Sequence, residues 1–446
     1  MSLVQRNMSG KGTDATADGA SSDGVVDSGY HPTFYHEAGD LIEGGISLRI
    51  PAPSLSLTSH LSEIFEKGSK ERLVNERGFS NFLFQYGSSK GDTLYRVQLA
   101  KFLSQEYNSP VQPQDIMCTA GSTIGILLLS VTYFESNDLV FMENPAYYGG
   151  IDIFNDLNRK IVHVDLDQDG IRPDLLEQSI LEHYPKNGFK PSDKKPFWAM
   201  VYLVPVYHNP TSACLSEERS KRIVKLARKY HLLILCDDVY NLLSLKLTPD
   251  GTSFHPPSKR LYEFDHRDDA DFFGNVISNG SFSKIVSPGL RLGWMEGPPH
   301  ILDKLRQGGI IQSGGALNHV MSGLVGQVLA SGSLHTFMNT MRQSLKEKVD
   351  GAVEILNKEL QGAVKFHVPE GGFYLWIELP DGIDAAKFEK FSIENNKIDF
   401  IPGSIFSSNQ ETFKSFVRMS FSFNEKENFL KAIQLFCQAL KSYRGK

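Results

Sequence analysis

The chain is short of several things, and each shortage excludes a class of protein. It has 446 residues but only 4 cysteines, and Cys118, Cys214, Cys236 and Cys437 stand far apart. They form no Cys-x-x-Cys pair and no Cys/His cluster, so neither a disulfide framework nor a metal site is expected. Excess positive charge is also missing. The net charge is −6 and the pI is near 6.1, which leaves no electrostatic footprint for nucleic acid. The longest apolar run, around Ile124 to Phe134, is too short for a membrane span and is broken by Ser130 and Thr132. Residues 1–30 are rich in Gly, Ser, Asp and Thr without an apolar core of the secretory kind, so a cytoplasmic location is the expectation. Branched apolar residues stay scarce over 1–40, which marks that segment as disordered.

What remains is ordinary globular material, 41% hydrophobic and 22% charged. Strand-like and helix-like runs alternate from about residue 94 to 325. Ile116 to Ala120 leads through Gly121-Ser122-Thr123 into an apolar helix, and Leu139 to Met142 leads to Pro145-Ala146-Tyr147. Trp198 to Val204 leads to Asn209-Pro210-Thr211. Leu232 to Cys236, apolar throughout, runs into Asp237-Asp238-Val239-Tyr240. A strand apolar along its whole length is buried on both faces, so its terminal carboxylates sit at the C-terminal edge of a parallel sheet. That edge is where open α/β sheets bind ligands. Further on, Leu334 to Leu360 reads as a long helix, Phe366 to Leu379 and Phe416 to Phe421 as strands, and Lys426 to Leu440 as a closing helix. The expected fold is α/β. A large domain over 91–330 has a mostly parallel sheet flanked by helices, and a smaller α+β domain is built from both chain ends, 41–90 and 331–446.

The chemistry concentrates in Ser281-Phe282-Ser283-Lys284 and Pro288-Gly289-Leu290-Arg291-Leu292-Gly293-Trp294. A lysine amine among weakly polar neighbours loses its proton readily and attacks carbonyls. Ser281, Ser283 and Arg291 offer donors for a phosphate, Arg291 bidentately. The glycine turn before Ser122 and Thr123 exposes helix-start N–H groups, a second anion site. A ligand with both an aldehyde and a phosphate suits this set, and pyridoxal 5'-phosphate has both.

The order of these motifs resembles the fold-type I pyridoxal-phosphate enzymes of the class I/II aminotransferase family. The resemblance rests on Ser-x-Ser-Lys before Pro-Gly-x-Arg-x-Gly-Trp, with Tyr86-Gly87, Gly121-Ser122-Thr123, Pro145-x-Tyr147, Asn209-Pro210-Thr211 and Asp237-x-x-Tyr240 in the family's order. Pro-Glu-Gly-Gly-Phe-Tyr-Leu-Trp at 369–376 is most similar to the branch of aminoadipate, kynurenine and aromatic aminotransferases. The resemblance implies that Lys284 forms the Schiff base and shuttles the α-proton. It implies that Asp237 pairs with the pyridine nitrogen, that Asn209 and Tyr240 bond the phenolic oxygen, and that Tyr147 stacks on the ring. Ser122, Thr123, Ser281, Ser283 and Arg291 would hold the phosphate, and Tyr86 would reach it from the partner subunit of a homodimer with shared active sites. Arg418 would bind the substrate α-carboxylate, next to Asn209.

Two positions depart from the family's pattern. Arg49-Ile50-Pro51 stands where a glycine usually precedes x-Pro, and Arg49 is a candidate for binding a second substrate carboxylate. Ser212 replaces the glycine that commonly follows Asn-Pro-Thr. The implied reaction moves an amino group from an aromatic or aminoadipate-like amino acid to a 2-oxo acid such as 2-oxoglutarate, by a ping-pong route through pyridoxamine phosphate. One scaffold serves many reactions, so a β-lyase or another α-carbanion reaction is the alternative. A non-catalytic regulator is a remoter one, since about 40 head residues cannot hold the winged helix such regulators carry.

Overall fold

Residues 116–296 form an eight-stranded sheet in a computed structural model that describes residues 44–77, 82–315 and 317–444. The segment 1–40, expected to be disordered, lies outside the described residues. In chain order the strands are β1 (Ile116–Thr119), β2 (Leu139–Asn144), β3 (Lys160–Asp167), β4 (Gly170–Ile171), β5 (Ala199–Leu203), β6 (Leu232–Asp237), β7 (Val276–Ser281) and β8 (Gly293–Glu296). Their order across the sheet is β1-β8-β7-β6-β5-β2-β3-β4. The strands from β7 across to β3 are parallel, as their apolar runs predict. Every residue of β5 and β6 is buried.

The edges depart from parallel pairing. Strand β8 runs antiparallel to both β1 and β7. Only residues 282–292 join β7 to β8, fewer than a parallel crossover needs, so the chain turns back instead. That return segment carries Lys284.

Helices cover the sheet where an apolar stripe lets them. Helix α1 (Glu217–Tyr230) starts at Ser216, whose Oγ accepts from Arg219 N, and buries Ile223, Val224 and Ala227. Burying the isoleucine or the valine contributes roughly 1.5–3 kcal/mol each. Helix α2 (Ser333–Leu360) buries Leu334, Met338, Met341, Leu345, Val349, Ala352 and Leu356 at helical spacing.

A second, four-stranded sheet comprises β9 (Lys365–Phe366), β10 (Tyr374–Glu378), β11 (Ile401–Pro402) and β12 (Phe416–Ser420), ordered β9-β10-β12-β11 and antiparallel throughout. Ile46–Ser47 pairs with Ile398–Asp399, which brings the early chain to the late chain. The stretch expected as a strand from Phe366 to Leu379 is interrupted over residues 367–373. A Cβ on Gly371 would fall 2.2 Å from Tyr207 Cζ, and Gly372 has φ +74 with its own Cβ position 2.8 Å from Tyr207 Cβ. The two glycines wrap a buried tyrosine ring, and a continuous strand cannot do that.

Candidate active site

The C-terminal ends of β1, β2, β5, β6 and β7 and the segments that follow them carry most of the residues singled out from the sequence. Strand β6 delivers Asp237, 4% exposed, into the interior. Tyr202, on neighbouring β5, donates to its Oδ2 at 2.8 Å, while Oδ1 has no hydrogen-bond partner. Burial pushes this carboxyl up to about 7, with the Tyr202 hydrogen bond opposing.

Lys284 follows β7 in the return segment. Its Nζ donates to the Pro51 carbonyl at 2.6 Å. Loss of hydration, reinforced by the Arg418 charge and opposed by Asp237, lowers its amine to about 8. The neutral amine is therefore within reach near neutral pH.

Around the lysine the anion donors converge. Gly121, at φ +93, opens the helix α3 (Ser122–Tyr133), and a Cβ placed on it would lie 3.5 Å from Arg291 Nη2. Arg291 Nη1 donates to Ser283 Oγ at 3.4 Å, and Ser281 Oγ contacts Ser283 Oγ at 3.1 Å. Thr119 of β1 and Ser281 of β7 flank Gly293 in register. The structure thus brings Ser122, Thr123, Ser281, Ser283 and Arg291 around one helix start.

A second cation sits deeper. Arg418, on β12, is 0% exposed. Its Nη1 donates to Asn209 Oδ1 at 3.3 Å, and its Nη2 donates to the Arg49 carbonyl at 2.8 Å. The Tyr374 and Phe406 rings lie 4.5 and 5.3 Å from its Cζ. None of the described ion pairs includes Arg418, and its Nε has no hydrogen-bond partner. Tyr240 and Tyr374 share a hydrogen bond of 2.6 Å between their hydroxyls. Tyr147 stands beside Tyr148, and Asp237, Tyr374 and Arg418 are near enough to act on its phenol electrostatically. The peptides Asn144–Pro145 and Asn209–Pro210, which precede Tyr147 and follow Asn209 respectively, are cis.

Two residues stand apart from this cluster. Tyr86 is 87% exposed. The Arg49 side chain is held by Glu389 at 2.5 Å and by the Phe400 carbonyl at 3.1 Å, and it is the Arg49 backbone that faces Arg418. Ser212 accommodates its departure from glycine: it adopts φ +59 and donates Oγ to the Tyr374 carbonyl at 2.7 Å. Sequence reasoning missed Tyr202, Tyr374 and the Pro51 carbonyl. Each tyrosine sits within an apolar strand and reads there as core.

The model of class I and II aminotransferases matches residues 66–434. The chain belongs to this family. Aromatic-amino-acid aminotransferase 1 of Thermococcus litoralis is 28% identical over 393 residues, 88% of this chain and 86% of that protein. The 2-aminoadipate transaminase of Thermus thermophilus is 26% identical over 394 residues, 88% of each. Among solved structures, the kynurenine aminotransferase of Pyrococcus horikoshii, in complex with PMP and with KYN as substrate and KYA as product, superposes with a TM-score of 0.76. It is 27% identical and covers 93% of this chain and 95% of its own.

An aminotransferase of this family works with pyridoxal 5'-phosphate, and the residues present fit that group. The unpartnered Asp237 Oδ1 matches a protonated ring nitrogen, the Lys284 amine matches the aldehyde, and the helix start with Arg291 matches the phosphate. Among the described residues, no helix is long and apolar enough to cross a membrane.

Proposed function

We propose that this aminotransferase takes its amino group from an aromatic or aminoadipate-like amino acid and gives it to a 2-oxo acid such as 2-oxoglutarate. The observation carrying an α-amino acid as donor is Arg418, and the relatives named as aromatic and 2-aminoadipate aminotransferases support the side-chain class. A fully buried guanidinium without a carboxylate is costly, and an α-carboxylate arriving bidentately supplies the missing charge. Bound pyridoxal phosphate supplies the electron sink and carries the amino group between the two substrates in ping-pong fashion.

The chain's own residues do the rest in this reading. Lys284 would hold the cofactor as a Schiff base and, once displaced by the substrate amine, would take the α-proton on Nζ and deliver it across the imine to the former aldehyde carbon. Asp237 keeps the ring nitrogen protonated, with Tyr202 fixing its orientation. Asn209 and Tyr240 donate to the phenolic oxygen, and Tyr147 packs on the ring. Ser122, Thr123, Ser281, Ser283 and Arg291 grip the phosphate. Arg49 is held by Glu389, so a second substrate carboxylate would have to displace that partner, and aromatic donors gain over dicarboxylic ones.

We also propose a cytoplasmic homodimer in which Tyr86 completes the partner's phosphate site. Its near-complete exposure, beside Phe82 at 66% and Phe84 at 61%, leaves an apolar surface to be covered. A sedimentation mass of one chain would remove this assignment.

The function is tested by mixing the loaded enzyme with a panel of amino acids and following the cofactor's absorbance. Aromatic donors should convert it fastest and aminoadipate more slowly, with 2-oxoglutarate restoring the starting spectrum. Pyruvate and ammonia released without any 2-oxo acid would instead establish a β-lyase.

A further inference from the structure

We propose that Tyr374 is a positioning residue: it donates its hydroxyl proton to Tyr240, and so leaves the Tyr240 proton free for the phenolic oxygen of the cofactor. The inference rests on the reading that Tyr240 faces that oxygen.

The geometry begins with two buried phenols, Tyr374 at 0% and Tyr240 at 3% exposure, whose oxygens are 2.6 Å apart. Each hydroxyl has one proton to give. If Tyr240 spent its proton on Tyr374, it would face an ionised phenolic oxygen with nothing to donate, and two acceptors would meet in a buried space. If Tyr374 gives the proton, both phenols are satisfied and a donor points at the cofactor.

The surroundings favour the second arrangement. The Arg418 guanidinium lies 4.5 Å from the centre of the Tyr374 ring, and a cation over a phenol makes its O–H the better donor. Burial raises both phenols. Burial pushes Tyr374 to about 12, held down there by the Arg418 charge, whereas burial raises Tyr240 well above the usual range, so Tyr374 is the more acidic phenol and the better donor. Tyr374 is also held rigidly. It lies on β10, opposite Ser420 of the strand that carries Arg418, and its carbonyl accepts the Ser212 hydroxyl at 2.7 Å. One tyrosine therefore ties the carboxylate-binding strand and the Asn209 loop to the group that sets the cofactor's basicity.

The test uses the loaded full-length enzyme and reads the pH midpoint of the bound cofactor's absorbance. A donor to the phenolic oxygen lowers that midpoint, and neighbouring hydrogen bonds strengthen one another by roughly 10–30%. Tyr374→Phe should therefore raise the midpoint by roughly 0.1–0.7 unit. In a Tyr240→Phe background the same change should do nothing. An unchanged or lowered midpoint in the single variant, or an equal shift in both backgrounds, would overturn the proposal. Should Tyr374→Phe fail to load the cofactor, 3-fluorotyrosine placed at position 374, a stronger donor, should lower the midpoint, and a rise would overturn it. Wild-type enzyme that never shows the lysine-bound absorbance would fail the functional reading itself.

Discussion

In the proposed reaction Lys284 carries most of the chemistry, and its behaviour follows from its burial and from one neighbouring charge. Desolvation and the Arg418 charge lower its amine to about 8. Attack on an aldehyde needs the neutral form, so the fraction able to react grows as pH rises through that value. Covalent attachment of pyridoxal phosphate to the cofactor-free protein should accelerate from pH 6 towards 9 with an inflection near about 8, followed by stopped-flow absorbance. A rate that is flat or falls over this range would contradict the assignment. At this scale the convergence of Lys284, Asp237, Arg418 and the proposed phosphate donors was legible, because residue type and order along the chain suggest their chemistry. Tyr374 and Tyr202 were not, since a tyrosine inside an apolar strand looks like packing until its oxygen is located. Arg49 was legible as a cation, but its partner Glu389 is 340 positions away and no local pattern links them.

Among the elements, the turn after Asn209-Pro210 meets the structural demand usually met by glycine in an unusual way. Ser212 occupies φ +59, a region costing a non-glycine residue of order 1 kcal/mol. Its bond to the Tyr374 carbonyl offsets that by about 1 kcal/mol. Ser212→Gly should leave stability nearly unchanged, relieving the strain as it loses the bond. Ser212→Ala should lose about 1 kcal/mol, because it keeps the strain without the bond. Denaturant midpoints give the order, and an alanine variant as stable as wild type would refute the tie. Similar reasoning explains where strand reading erred. The run from Phe366 to Leu379 is apolar enough for a strand, but Gly371-Gly372 must fold around Tyr207, and only the folded chain reveals that neighbour. Helix α4 (His319–Ala330) went unread because its buried positions include Ser322, Gly323, Gly326 and Gln327, residue types that draw no apolar stripe in the sequence.

Across the whole molecule, alternating strands and helices made the mostly parallel sheet legible, and β6 located the site at its C-terminal edge. The antiparallel β8 was hidden, because direction depends on the length of a connection whose ends must first be recognised. Bringing Arg49 and Pro51 onto Arg418 and Lys284 is a tertiary event that no local pattern encodes, and only the resemblance to the family pointed to it. All of these contacts gain functional meaning only if Lys284, and no other lysine, holds the cofactor. Borohydride reduction of the loaded enzyme followed by peptide mass mapping decides this. The reduced pyridoxyl phosphate should be found on the peptide containing Lys284 and be absent from a Lys284→Ala variant. Its presence on a different lysine, or on none, would contradict the assignment of the site.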